Sequence, residues 1–395
     1  MSIFFPYIYL YVIAMMAFLL SQITYNYYSC QINVSQITHQ LNIKKAKKTE
    51  NILFLVVSIV VLLFISTRDI QVGTDTKFYV AFFESPNFLY NGEKTDYLFE
   101  QFARVLRTLG FNDNSFIFIS GLLSFVGPFY LIWKTSKKPT LSLILFMIVG
   151  TSEIFFFLYF NVIRQCISIS YFLFSIFFLY GNKGNKQWRY ALFVIFYLAA
   201  VLTHGSTLIT LPFIAVTYYK PLTNKRIWTI LIVSTYIMSA LNISFVSSIL
   251  DFVFKNIESD HYSAYATVGF GIITAKGWFN MNLLPYMALG SIILYFSNKK
   301  DLNDYKIQFS LWSIVLNNIF FDNLMWSRLI MCLSLFMIIS VPNILCKKSN
   351  NIQLWSLGFI FLYYIHKMSS QLIFSSSLYA TGNIIVPYKS WLLNF

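Results

Sequence analysis

From end to end the chain alternates apolar runs close to 20 residues long with short polar connectors. The runs lack period-two alternation, which excludes barrel strands and predicts membrane-spanning helices. Lipid offers no partner to a backbone amide, and a helix satisfies its own. The runs predict helices at about 4–22, 51–66, 115–133, 140–159, 162–180, 189–203, 206–219, 227–245, 279–297, 307–321, 328–345 and 351–367. The expected fold is all-α: one polytopic integral membrane domain over residues 1–395, with about twelve transmembrane helices. No basic leader or small-residue cleavage site accompanies the first run, so it reads as an uncleaved span.

Two polar intervals break the pattern, at 67–114 and 247–278. The first opens abruptly on Arg68-Asp69-Ile70-Gln71-Val72-Gly73-Thr74-Asp75-Thr76-Lys77-Phe78-Tyr79. Further on, Thr95 to Leu109 reads as an amphipathic interfacial helix. Leu98, Phe102, Val105, Leu106 and Leu109 share its apolar face, and Asp96, Glu100, Arg104 and Arg107 its charged one. Glu100 and Arg104 are in the favourable i,i+4 order, and Gly110 is a natural stop. The second interval carries Asp251, Glu258, Asp260 and His261, with Tyr262 and Tyr265 as faces on which sugars stack.

Composition agrees with the pattern. Only 11% of residues are charged, against about 25% in a soluble domain. The net charge of +14 points away from nucleic acid, because the lysines lie in short connectors and form no single basic face. Every second connector is basic: Lys44–Lys48, Lys134–Lys138, Lys183–Arg189, Lys220–Arg226, Lys299–Lys306 and Lys347–Lys348. That alternation predicts these connectors in the cytoplasm, with both termini and both long intervals outside. Arginine runs against lysine: Arg189 and Arg226 are cytoplasmic, whereas Arg68, Arg104, Arg107, Arg164 and Arg328 fall outside. Orientation needs only a cation, but bidentate recognition of phosphate or carboxylate favours the planar guanidinium. The outer arginines therefore read as recognition residues.

Cys30, Cys166, Cys332 and Cys346 are scattered, and the four histidines show no ligand spacing, so neither a metal site nor a cofactor is expected. The remaining candidates gather at the outer ends of helices. Asn161, Arg164 and Ser168 share one helical face with Gln165 beside them, and Glu153 lies a turn or two below. Thr203-His204-Gly205-Ser206 caps a tight turn ahead of Pro212, and Asp322 and Arg328 bracket another. Arg68, Asp75, Arg164, His204 and Arg328 thus share one side of the membrane, and an outward cavity lined by arginines suits an anionic lipid-linked substrate.

The Arg68 to Tyr79 stretch, read as Arg-x4-Gly-Thr-Asp-Thr-x2-Tyr, resembles the EpsG-like, Wzy-type bacterial polysaccharide repeat-unit polymerases. Asn161-x2-Arg-Gln, His204-x-Ser with Pro212, and Arg328 heading a late helix follow in the matching order over nearly the whole chain. The segment Asp96-Tyr97-Leu98-Phe99 departs from the Glu-Pro-Gly-Phe-like pattern of that region, and no catalytic role is carried over to a carboxylate there. The resemblance implies a glycosyltransferase of the bacterial inner membrane. It would move a growing glycan from undecaprenyl pyrophosphate to a hydroxyl of a lipid-linked repeat, in O-antigen, capsule or exopolysaccharide synthesis. A flippase and a chain-length regulator are the implied partners, beside the bilayer itself. Arg68, Arg164 and Arg328 are assigned to pyrophosphate, with Tyr79, Asn161 and Gln165 in substrate binding and Asp75 or His204 at the acceptor hydroxyl. A lipid-linked oligosaccharide flippase, an O-antigen ligase-like enzyme and a non-catalytic scaffold remain as alternatives.

Overall fold

The computed structural model describes residues 5–29, 36–85, 96–149, 155–181, 185–241, 283–320, 330–347, 350–377 and 388–392. These residues are helical almost throughout, with one isolated bridge between Arg68 and Ser390. Among the described residues, four helices are long and apolar enough to cross a membrane: Phe5–Tyr27, Gln40–Ser66, Asp113–Thr135 and Ile163–Tyr180.

The first half of the chain forms α1 (Phe5–Ser29), α2 (Gln36–Ser66), α3 (Thr76–Glu84), α4 (Tyr97–Thr108), α5 (Asp113–Thr135), α6 (Pro139–Ile148), α7 (Phe155–Asn161) and α8 (Ile163–Tyr180). After it come α9 (Lys186–Thr203), a 3-10 turn (Gly205–Thr210), α10 (Leu211–Tyr219) and α11 (Lys225–Ala240). Later helices include Leu284–Phe296, Tyr305–Ile319, Met337–Leu345 and Asn350–Ser377. At the centre, α8 packs between α5 and α9, and α2 packs against α1, α5 and α6. Phe146, Phe156, Phe160, Phe172 and Phe336 are among the fully buried core residues. Trp188, Ile195, Leu198 and Leu202 on α9 remain exposed, as suits a surface facing lipid.

Several expected spans take a different form. The lysine connector at 44–48 is no loop: α2 runs through it from Gln36, since lysine is a good helix former and its charge projects beyond the apolar segment. The run at 140–159 is divided, with α6 ending at Ile148, α7 starting at Phe155, and the Phe155 amide donating to Val149 O at 2.9 Å. The run at 328–345 is divided as well, into Met331–Ser334 and Met337–Leu345. Pro212 sits at the first turn of α10 and starts that helix, where its missing N–H costs nothing.

The amphipathic helix forms as α4, but its packed face is rotated from the expected one. Phe99, Ala103 and Leu106 are buried, whereas Val105 and Leu109 are exposed. Periodicity allows both stripes, and the aromatic neighbours decide between them. Phe99 meets Tyr79, Phe82 and Phe116 at ring separations of 5.7, 6.1 and 6.2 Å. The helix ends as expected at Gly110 (φ 79°), where its amide donates to Arg107 O and that of Phe111 to Leu106 O. This is the paired pattern of a left-handed glycine cap.

The basic connectors converge on one end of the bundle. Lys138 Nζ donates to Gln22 Oε1 at 3.4 Å, and the Lys137 amide to Asn343 Oδ1 at 2.7 Å. Lys347 pairs with Asp301, and Lys225 Nζ donates to Tyr295 O at 3.2 Å. Arg189 donates to the carbonyls of Phe178 and Leu179, which close α8 at the same end. The opposite end holds the termination of α2, α3, α4, the α7–α8 junction and the α9 turn.

Candidate active site

At this second end, Asp96 joins segments far apart in the chain. Its Oδ2 lies 3.0 Å from His204 Nδ1 and 3.4 Å from Arg164 Nη1, and its Oδ1 accepts from the Gly205 amide at 3.4 Å. Asp96 occupies the N-cap position of α4 yet makes no side-chain capping bond. An aspartate there ordinarily accepts from its own helix, worth about 1 kcal/mol. Here the carboxylate turns away from α4 to meet the other two residues.

Each partner is positioned by its own element. Arg164 lies in the first turn of α8, directly after the break at Val162. Its guanidinium carbon lies 5.8 Å from the Tyr79 ring centroid, which braces it from α3. His204 is the extended residue between α9 and the 3-10 turn, and its amide donates to Ala200 O. The buried Ser168 hydroxyl also donates to Ala200 O, at 2.7 Å, and contacts Thr207 Oγ1, so α8 secures the turn that presents His204.

The electrostatics favour an ionised Asp96. Burial opposes its charge, but the His204 hydrogen bond, the Arg164 charge and the Gly205 amide together hold the carboxyl below its ordinary value. A carboxylate only accepts, so the facing Nδ1 of a neutral His204 must carry the proton, which leaves the lone pair on Nε2. Burial raises the Tyr79 phenol above its ordinary range, Arg164 draws it back, and Asp75 raises it again.

Asn161 supports the site from beneath. Its Oδ1 accepts from the Thr74 amide at 2.8 Å, and Thr76 Oγ1 donates to Phe160 O at 3.0 Å, which fastens the 68–76 turn to the end of α7. Gly73 has φ 97°, and a Cβ there would collide with the Phe160 carbonyl, so this turn requires glycine. Asp75 begins α3 through its backbone, with its carbonyl accepting from Tyr79 at 3.1 Å. Gln165 is buried behind Arg164.

Of the expected site residues, Arg164, His204 and Tyr79 gather around Asp96, while Asn161 and Asp75 belong to the turn beside it. Arg68 is fully buried at the end of α2, its guanidinium carbon 5.6 Å from the Phe160 ring centroid. Arg104 pairs with Glu100 at 2.5 Å on the exposed face of α4, and Arg107 donates to Phe83 O at 3.4 Å. Arg328, Asp322, Glu153, Tyr262 and Tyr265 lie outside the described residues. Sequence reasoning missed Asp96, which it placed on a charged helical face. The available signal was an acidic residue at a helix start, which local chemistry explains as a cap. Among the described residues, no group of three or more His, Cys, Asp or Glu is placed to hold a metal ion.

An ionised carboxylate, a guanidinium and an oriented imidazole thus meet at one end of an apolar helical bundle. The EpsG family model matches residues 51–390, and the chain belongs to the EpsG family. Membership marks it as a membrane protein of polysaccharide biosynthesis. No curated protein and no solved structure matches it.

Proposed function

We propose that the protein is a polysaccharide polymerase that joins undecaprenyl-pyrophosphate-linked repeat units at the extracytoplasmic face. The observation that carries this reading is Asp96 joining Arg164 and His204, the pairing of an anion-binding group with an oriented base that such a transfer requires. The acceptor hydroxyl oxygen attacks the anomeric carbon of the growing glycan's reducing-end sugar. The bond from that carbon to the pyrophosphate oxygen breaks, and undecaprenyl pyrophosphate leaves with the electron pair. The hydroxyl proton passes to His204 Nε2, with Asp96 balancing the imidazolium as it forms. Arg164 stabilises charge developing on the leaving pyrophosphate, and Arg68 and Arg328 are assigned to the same anion. Tyr79, Asn161, Gln165 and Asp75 shape the surrounding surface, and His204 is favoured over Asp75 as the base because Asp96 orients it.

Twelve crossings, with both termini outside and the basic end in the cytoplasm, complete this reading. A flippase for the same lipid-linked repeat has one specific observation in its favour, the divided runs at 148–155 and 334–337, because interrupted helices serve transport in many carriers. Glycan length on a gel from cells lacking the gene, complemented with wild type, Arg164→Ala or His204→Gln, tests the polymerase. Long glycan should return with wild type alone, while single-repeat intermediates accumulate with both variants. Long glycan with either variant would remove that residue from the reaction. Unchanged ladders without the gene would refute the polymerase and leave the flippase.

A further inference from the structure

Arg68 is buried as a cation with no counter-charge among the described residues. Its Nη1 donates to Ile65 O at 2.5 Å, but Nε and Nη2 are buried with no hydrogen-bond partner among the described residues. Burial draws the guanidinium down to about 10, and the groups that counter this are Tyr388, Cys166, Tyr7 and Tyr79, with no carboxylate among them. Arg68 is therefore still protonated near neutrality, in surroundings of neutral aromatic side chains. A buried, unpaired charge with unsatisfied donors is among the costliest groups a fold can hold.

Residues 388–392 lie across the end of α2, where Asp69 donates to Lys389 O at 2.9 Å and Trp391 to Thr67 O at 3.1 Å. Thr67 Oγ1 and Ser390 Oγ are 2.9 Å apart, and Tyr388 stacks on Phe64 at 3.8 Å while its hydroxyl donates to Phe64 O. Trp391 and Leu392 are exposed on the outer side. A short non-helical segment held by a few hydrogen bonds and one buried ring, Tyr388, opens more readily than the helical core.

We propose that residues 388–392 form a removable clasp over an anion site, in which Arg68 Nε and Nη2 take a phosphate-type group. The site is argued from its buried donors alone; that its anion is the substrate's pyrophosphate rests on the polymerase reading. Opening the clasp admits the anion, and the anion supplies the acceptors that the donors lack.

A reversible lock tests this. In full-length Thr67→Cys/Ser390→Cys protein in nanodiscs, the arginine reagent phenylglyoxal reports access to Arg68 by peptide mass spectrometry, with Ser390→Cys alone as control. In reduced protein Arg68 should react, and a pyrophosphate-bearing ligand should slow the reaction about tenfold or more, the factor that one or two charge-assisted hydrogen bonds supply. Protection by farnesyl pyrophosphate but not by inorganic pyrophosphate would identify a lipid-linked ligand, and protection by both a site for the phosphate group itself. Oxidation should close Arg68 to the reagent and stop elongation, and reductant should restore both. A chain ended at Pro387 should expose Arg68 without reductant. Equal reactivity in oxidised and reduced protein, protection by neither ligand, or undiminished elongation by the locked protein would overturn the proposal. If locking and protection behave as expected but wild type never elongates glycan, the polymerase reading fails and the clasped anion site stands.

Discussion

Asp301 and Asp96 sit near helix starts at opposite ends of the bundle, and they are used in opposite ways. At the lysine-rich end, Asp301 closes a capping box with Asn298 at 2.9 and 3.0 Å and pairs with Lys347. Asp304, four positions before Gln308, caps the next helix through the Lys306 amide at 3.0 Å. Both carboxylates cap their own helix starts. At the arginine-bearing end, Asp75 and Asp96 both hold N-cap positions and neither caps. Asp96 reaches instead to His204, 108 positions away. Burial opposes the charge of both Asp96 and Asp301, and hydrogen-bonded partners hold both below the ordinary carboxyl value. An ionised, paired carboxylate is therefore no sign of function by itself. The sign is a carboxylate that forgoes a cap within reach for partners distant in the chain.

The contrast is broken most directly by exchanging the two carboxylates for amides. Asp96→Asn should slow glycan elongation by about 100-fold or more, the scale of losing an oriented acid–base or charge-stabilising group. Asp301→Asn should leave elongation within about twofold and cost about 1 kcal/mol of stability, as a lost cap does. Elongation of a lipid-linked repeat in nanodiscs and thermal unfolding measure the two effects. Equal losses of elongation would abolish the distinction.

The two left-handed glycines sharpen it. Gly73→Ala meets both an unfavourable φ and the Phe160 carbonyl, and should destabilise by more than the backbone cost of about 1–2 kcal/mol. Gly110 has nothing within 4 Å of a Cβ, so Gly110→Ala should cost only that backbone term of about 1–2 kcal/mol. The order of the two melting temperatures checks this, and the reverse order would mean that the 68–76 turn is not held against α7.

The smallest effect is on pH. The folded value of Asp96 lies below its unfolded value, so its contribution to stability is complete above the unfolded value of about 4 and is lost as the pH falls through the folded one. The stability difference between wild type and Asp96→Asn should shrink on acidification below about pH 4, followed by thermal unfolding across pH. A difference that does not change with pH would show that the Asp96 charge plays no part in holding the cluster.

By itself the sequence determined the all-helical membrane character, the amphipathic α4 with its glycine stop, and the segregation of arginine from lysine. It also singled out Arg164, His204, Tyr79 and Asn161. All of these depend on local periodicity, on connector charge or on short motifs, which are properties of neighbouring residues. Tertiary structure alone decided the face on which α4 packs, where the divided runs break, and how Asp96 and Arg68 are used. A stripe, a cap or a cation reads the same in sequence whatever it packs against. Its use depends on which distant group lies within about 3 Å, the reach of a hydrogen bond. For Asp96 that group is the turn holding His204, and for Thr67, beside Arg68, it is Ser390, more than three hundred positions away.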